Sequence, residues 1–126
     1  MEFKDLAGKT LKSIMINKGD DDDNIVFTDL DGKKYQLNHF QDCCEYVKIE
    51  DICGDIGDII GNPILVAEEV EHEQDAKPEG VETDASDDSF TWTFYKLDTC
   101  KGGVTMRWLG ESNGYYSESV SFSEIK

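Results

Sequence analysis

Apolar and polar residues alternate along most of this chain, and the period of the alternation predicts its elements. Residues 10–18, with Leu11, Ile14, Met15 and Ile16, read as a strand. An acidic turn at 19–24 leads to a second strand at 25–30, and Asp31 and Gly32 close a hairpin into a third at 33–40, where Tyr35, Leu37 and His39 share a face. Residues 43–49 alternate again, with Cys43, Val47 and Ile49 on one side, and suggest a fourth strand.

The period then changes. Ile49, Ile52, Cys53, Ile56, Ile59 and Ile60 recur at the spacing of one helical stripe, with Glu50, Asp51, Asp55 and Asp58 pointing away, and Gly61-Asn62-Pro63 is a stop signal. The pattern predicts a short amphipathic helix over about residues 50–60. Gly54 and Gly57 lie inside it and cost about 1 kcal/mol each relative to alanine, so such a helix relies on packing.

Residues 63–70 return to an extended apolar pattern, and over 71–88 apolar residues nearly vanish, which predicts a mobile acidic loop. The strongest strands follow. Phe90, Trp92 and Phe94 share one face, Val104, Met106 and Trp108 another, and Val120 and Phe122 stand opposite a row of serines, with glycine turns at 101–103 and 112–114. These read as a three-stranded meander. The fold class is α+β and mainly antiparallel β, seven or eight strands with one short helix, in a single domain of 126 residues.

Charge changes the picture from fold to partner. The chain carries 28 Asp and Glu against 12 Lys and Arg, a net charge of -16, much of it in Asp20, Asp21, Asp22 and Asp23 and in the stretch 68–88. Such a field draws in basic partners and repels nucleic acid and anionic lipid. Lys33, Lys34, Lys101 and Arg107 form no dense patch, which argues against direct nucleic-acid binding. The chain has no run of about 20 apolar residues that would span a bilayer, and no basic-then-apolar leader. A soluble cytoplasmic protein is expected, with Cys43, Cys44, Cys53 and Cys100 as reduced thiols.

Three constellations invite chemistry. His39, Cys43 and Cys44, joined by Cys53 or Cys100, offer zinc ligands, but the separated ligand pairs of structural zinc sites are missing; the plainer reading makes Cys43 and Cys53 small core residues. Cys44 with His39 and Asp42 or Glu45 supplies the residue types of a thiol nucleophile, its base and an orienting acid. The aspartates at 20–23 suggest calcium, yet Ile25 occupies the EF-hand glycine position and no glutamate ends the loop, so a solvated turn is expected. No catalytic residue, metal or cofactor is assigned. Tyr115 and Tyr116 point to opposite faces, so one lies away from the core beside Glu111 and Glu118, as an interface anchor does.

The segments 41–52 (beginning Gln41-Asp42-Cys43-Cys44-Glu45-Tyr46-Val47), 92–96 (Trp92-Thr93-Phe94-Tyr95-Lys96) and 110–120 (Gly110-Glu111-Ser112-Asn113-Gly114-Tyr115-Tyr116-Ser117-Glu118-Ser119-Val120) resemble a family of small bacteriophage and prophage proteins. The likeness covers about residues 8–70 and 89–125. It implies a phage setting and supplies no catalytic residues.

The expected function is therefore a non-enzymatic, phage-encoded acidic protein in the bacterial host cytoplasm. It would dock onto a basic surface of a host defence or nucleic-acid-binding protein by mimicking nucleic-acid charge. Asp20, Asp21, Asp22, Asp23, Asp55, Asp58, Glu111, Tyr115, Tyr116 and Glu118 are the candidate contacts. The alternative is a thiol- or metal-dependent enzyme, or a nucleotide-binding module, built on residues 39–45. Its anionic substrate would approach against the field. An assembly accessory, or a self-associating chain, is also compatible with the sequence.

Overall fold

Successive side chains of a strand point to opposite faces, so Ile25, Phe27, Tyr35 and Leu37, at alternate positions of neighbouring strands, line one side of a sheet. In the computed structural model, which describes residues 2–19, 23–40, 45–74, 89–112 and 118–125, that sheet consists of β1 (Leu11–Asn17), β2 (Asn24–Asp29), β3 (Lys34–Asn38) and β8 (Ser121–Ile125), in the order β1-β2-β3-β8. A second sheet has the order β4-β7-β6-β5, from β4 (Tyr46–Cys53), β5 (Val66–Gln74), β6 (Ser89–Thr99) and β7 (Gly102–Ser112). Every pairing is antiparallel. The protein is mainly antiparallel β, as the alternation predicts.

The two sheets share one core. Leu11, Ile25, Phe27, Tyr35 and Leu37 from the first meet Ile49, Tyr95, Leu97, Val104, Met106 and Trp108 from the second, all buried. Each such side chain contributes about 1.5–3 kcal/mol on burial. A 3-10 turn, Phe3–Leu6, inserts Phe3 between the sheets, where its ring meets Tyr95 at 4.8 Å, Phe122 at 5.5 Å and Phe27 at 6.1 Å.

The isoleucine stripe is not a helix. Residues 46–53 form strand β4, and only Ile56–Asp58 turns, as a single 3-10 turn. The register of β4 against β7 shifts between Ile49 and Asp51, and the extra residue turns Ile49 and Ile52 toward the same core although they stand three apart. The 3-10 turn then separates Ile56 from Ile59 by another three. A bulge and a tight turn thus reproduce helical spacing. Between them Gly54 has φ 109° and lies so close to the Gly103 carbonyl that a Cβ has no room. Cys53, expected in the core, is exposed at the end of β4, and Ile59, not Ile56, is fully buried.

Residues 54–65 cross beneath the second sheet from β4 to β5 and close this end of the core with Ile59 and Ile64. The Thr99 hydroxyl donates to the Asp58 carbonyl (2.6 Å), and the Gly61 and Ile64 amides donate to the carbonyls of Leu11 and Lys9 (2.9 Å each). The C-terminal meander is also corrected: β6 and β7 form a hairpin, but β8 leaves them and pairs with β3. The third strand beside that hairpin is β4. Of the predicted acidic loop, residues 71–74 continue β5 in register with β6, and 75–88 lie outside the described residues. Among the described residues no helix is long and apolar enough to cross a membrane.

Asp29 organises the β2–β3 turn. One carboxylate oxygen accepts the amides of Asp31 (2.9 Å) and Lys33 (3.0 Å), and the other accepts the Tyr35 hydroxyl (3.1 Å). Burial pushes the carboxyl pKa up, but donation from Lys33, Tyr35 and Asp31 outweighs it and holds Asp29 below the usual aspartate value. The Tyr35 hydroxyl is pushed up to about 12, by burial first and then by its bond to Asp29 and that residue's charge.

Ile59→Asp should abolish the folded state, whereas Ile56→Asp, at a half-buried position, should only lower the thermal midpoint. Asp29→Asn should cost about 2 kcal/mol in urea unfolding at neutral pH. A depressed carboxylate stabilises the fold above its unfolded pKa and loses that effect as pH falls through the folded one. The difference from wild type should therefore be constant well above pH 3.8 and shrink below it.

Candidate functional site at the polar end of the sandwich

At one end of the first sheet the register aligns Asn17, Asn24, Asn38 and Ser121, and the Asn17 amide donates to the Asn24 side chain at 2.7 Å. At one end of the second, Tyr46, Phe90 and Glu111 align. Two contacts show that these are the same end of the molecule. Asp23, immediately before β2, accepts the Ile49 amide of β4 at 2.7 Å, and His39, after β3, meets Glu45, before β4, at 2.8 Å. Residues 20–22, 41–44, 75–88 and 113–117, outside the described residues, all join strands that finish at this end. The opposite end carries the tight turns and the crossing segment 54–65.

His39 is held from both sides of its ring. Nδ1 lies 2.6 Å from the Ser119 carbonyl oxygen and Nε2 lies 2.8 Å from Glu45 Oε2. A carbonyl oxygen only accepts, so Nδ1 carries a hydrogen, and a further proton is shared between Nε2 and the Glu45 carboxylate. The pair is almost dry, with side chains 6% and 0% exposed. It ties the exit of β3, the entrance of β4 and the approach to β8 into one contact. In chemical terms it is a base with a carboxylate that orients it.

Glu118 forms a second buried centre. Its carboxylate accepts the hydroxyls of Thr91 (3.0 Å) and Ser112 (2.5 Å). Its backbone packs on Gly110, where a Cβ would come within 2.6 Å of the Glu118 carbonyl oxygen and 2.7 Å of its Cβ. Only glycine permits that approach. Glu111 is buried as well, opposite Phe90 and Tyr46.

Several predicted contact residues therefore turn inward. Asp23 is no solvated turn residue: it is 7% exposed and accepts the amides of Gly19 (2.9 Å) and Ile49. Glu111 and Glu118 are buried at 5% and 9%, and the bonds of Asp23 and Glu118 hold strand ends together. Asp55 is exposed and caps the 3-10 turn through the Gly57 amide (2.8 Å), with Asp58 half-buried in the same turn. Asp20, Asp21, Asp22, Tyr115, Tyr116, Cys43 and Cys44 lie outside the described residues. Among the described residues no three His, Cys, Asp or Glu side chains gather as metal ligands, and Cys53 and Cys100 are free and exposed.

Two surfaces were not read from the sequence as such. Glu68, Glu69, Glu71 and Glu73 are exposed along β5, so part of the charge assigned to a loop stands on a strand at the edge of its sheet. On the outer face of β6 and β7, Phe90, Trp92 and Leu109 make a separate buried cluster with Phe94 packed against it. Trp92 and Phe94 stack at 6.0 Å, and the Arg107 guanidinium lies 5.0 Å from the Trp92 ring while pairing with Asp51 at 3.1 Å. The signal was the run 92–97, with Trp92 and Phe94 on one alternating set and Tyr95 and Leu97 on the other.

This is an antiparallel two-sheet protein with turns closing one end and a buried polar network under the other. Residues 4–122 match the model of a domain of unknown function, DUF7448, and the chain belongs to that family. No curated protein matches the chain, and no solved structure does.

His39→Ala should lower stability by about 3 kcal/mol in urea unfolding, because it takes the imidazole away from the buried Glu45 carboxylate, and Glu45→Gln in the same chain should return part of the loss. Gly110→Ala should cost about 1–3 kcal/mol through the clash with Glu118.

Proposed function

We propose that this protein is an acidic, non-enzymatic binding protein of phage or prophage origin that docks onto a basic surface of a bacterial host protein and inhibits or redirects it. The surface it occupies is one that otherwise holds nucleic acid. The observation that carries this reading is the placement of charge: a net -16, with Glu68, Glu69, Glu71 and Glu73 exposed along one strand. Every second residue of a strand faces the same way, about 7 Å apart, so Glu69, Glu71 and Glu73 stand in one row of like charges along β5. Fixed exposed charge steers encounter, and with a basic groove it replaces the phosphates that the groove evolved to bind. The phage setting rests on the resemblance of the segments at 41–52, 92–96 and 110–120.

Affinity capture from bacterial cells followed by surface plasmon resonance tests the reading. Replacing Asp20, Asp21, Asp22, Glu71 and Glu73 by their amides, with Asp23 left in its internal bonds, should slow association about tenfold and flatten its salt dependence. DNA or RNA should compete for the partner. An association rate indifferent to both salt and the substitutions would mean that the charge serves solubility alone.

A second reading takes the His39–Glu45 pair as part of a thiol-dependent enzyme with Cys44 as nucleophile, in which His39 Nδ1 releases the Ser119 carbonyl to take the thiol proton. In a Cys53→Ser, Cys100→Ser background, this reading expects iodoacetamide to alkylate the remaining thiols faster than a free cysteine at pH 6.5, and expects His39→Gln to remove the difference. Ordinary thiol rates in both chains would dismiss it.

A further inference from the structure

The strands β5 and β8 each end a sheet: β5 is bonded to β6 on one side, β8 to β3, and no other described strand pairs with either. Their outer edges lie on the same side of the molecule, with the 3-10 turn Phe3–Leu6 packed against β5. The Tyr95 hydroxyl, at the margin of the core, donates to Glu69 of β5 at 2.6 Å and lies 3.4 Å from the carbonyl of Val120, which leads into β8. Between the two edges is a groove of about 510 Å³. Its floor is apolar, from Phe3, Val120 and Phe122. Its rim is charged, with Glu2, Glu68 and Glu69 against the single ammonium of Lys4, which Glu2 already engages at 3.0 Å.

An apolar floor under a carboxylate rim suits a side chain with a long methylene stem and a cationic head, since lysine and arginine lay the stem on apolar surface and hold the charge at its margin. The 3-10 turn Phe3–Leu6 packs against β5 but, at four residues against nine, is too short to cover it, and the rest of the edge adds directionality, because an unpaired strand edge carries a row of amides and carbonyls that an extended chain can satisfy. A small organic cation would use the groove and leave that edge bare. We propose that this groove receives an extended basic segment of a partner protein, paired along β5, with a lysine or arginine stem over Phe3 and Phe122 and its head against Glu68 and Glu69. The inference rests on the acidic-docking reading and deepens it by naming where, and in what conformation, the partner is held.

The probe is a six-residue peptide of alternating valine and arginine, blocked at both ends, titrated into the isotope-labelled full chain and followed by amide chemical shifts. Saturable shifts should concentrate at residues 3–4, 66–71 and 120–123. Glu68→Lys should weaken binding about fivefold and Lys4→Gln should tighten it about twofold; both side chains are exposed, so the rest of the spectrum should stay in place. A valine–glutamate peptide should not bind. Shifts that fail to saturate, that fall equally on distant carboxylates such as Asp55, or that ignore both substitutions would overturn the groove. The docking reading fails separately, in the association kinetics with the captured partner, where Glu68 and Lys4 are left unchanged.

Discussion

Neither sheet of this protein can be completed by its own half of the chain. The first three strands need β8, some 80 residues later, to cover the open edge of β3, and the β6–β7 hairpin needs β4 from before it. Each half supplies the other's missing strand. The apolar faces of β3 and β7 are dry only once both exchanges have been made, and Phe3 fits only into the space that the two packed sheets define. Assembly of this kind is dominated by contacts distant in sequence, which makes it cooperative and slow compared with a chain of local hairpins.

The same exchange explains why the two ends differ in chemistry. At one end the chain turns back within a sheet or crosses beneath it, through short turns whose backbone groups bond to each other and through the segment 54–65 with Ile59 and Ile64 buried. At the other end the chain passes from sheet to sheet, after β3 and again after β7, and the polar side chains gather there. His39, Glu45 and Glu118 secure those passages. A buried ion pair is a poor source of net stability, because desolvation offsets most of the attraction. Its value is specificity: an apolar substitute would not care which strands it joined, whereas an imidazole that needs one acceptor at each nitrogen accepts a single arrangement.

Strands were legible in the sequence wherever one face is apolar, as in β2, β3, β6 and β7, and in β1 in spite of a register shift between Leu11 and Ser13. The isoleucines from 49 to 60 misled because a helix and a bulged strand followed by a 3-10 turn place side chains on one face at the same spacing. The excess of β-branched residues favoured the strand, and Gly54 marked its end. β8 was legible as a strand but not in its partner, since alternation says which face is buried and nothing about which edge is shared. The polar end was hidden for a related reason. His39 and Glu45 stand close in sequence and suggested local chemistry, but the contact of His39 with the Ser119 carbonyl and that of Glu118 with Thr91 span distant segments that only the topology brings together.

The outer cluster of Phe90, Trp92 and Leu109 bears on how this family can diverge. Over much of their length β6 and β7 are packed on both faces, by the shared core on one side and by this cluster on the other. Their interior positions therefore leave few places where a charge or a change of volume is neutral, whereas β1 and β5, each with an open edge and several exposed side chains, leave many. Sequence drift among DUF7448 proteins should accordingly be uneven, with the central hairpin kept nearly fixed and the two sheet edges free to change the surfaces they present.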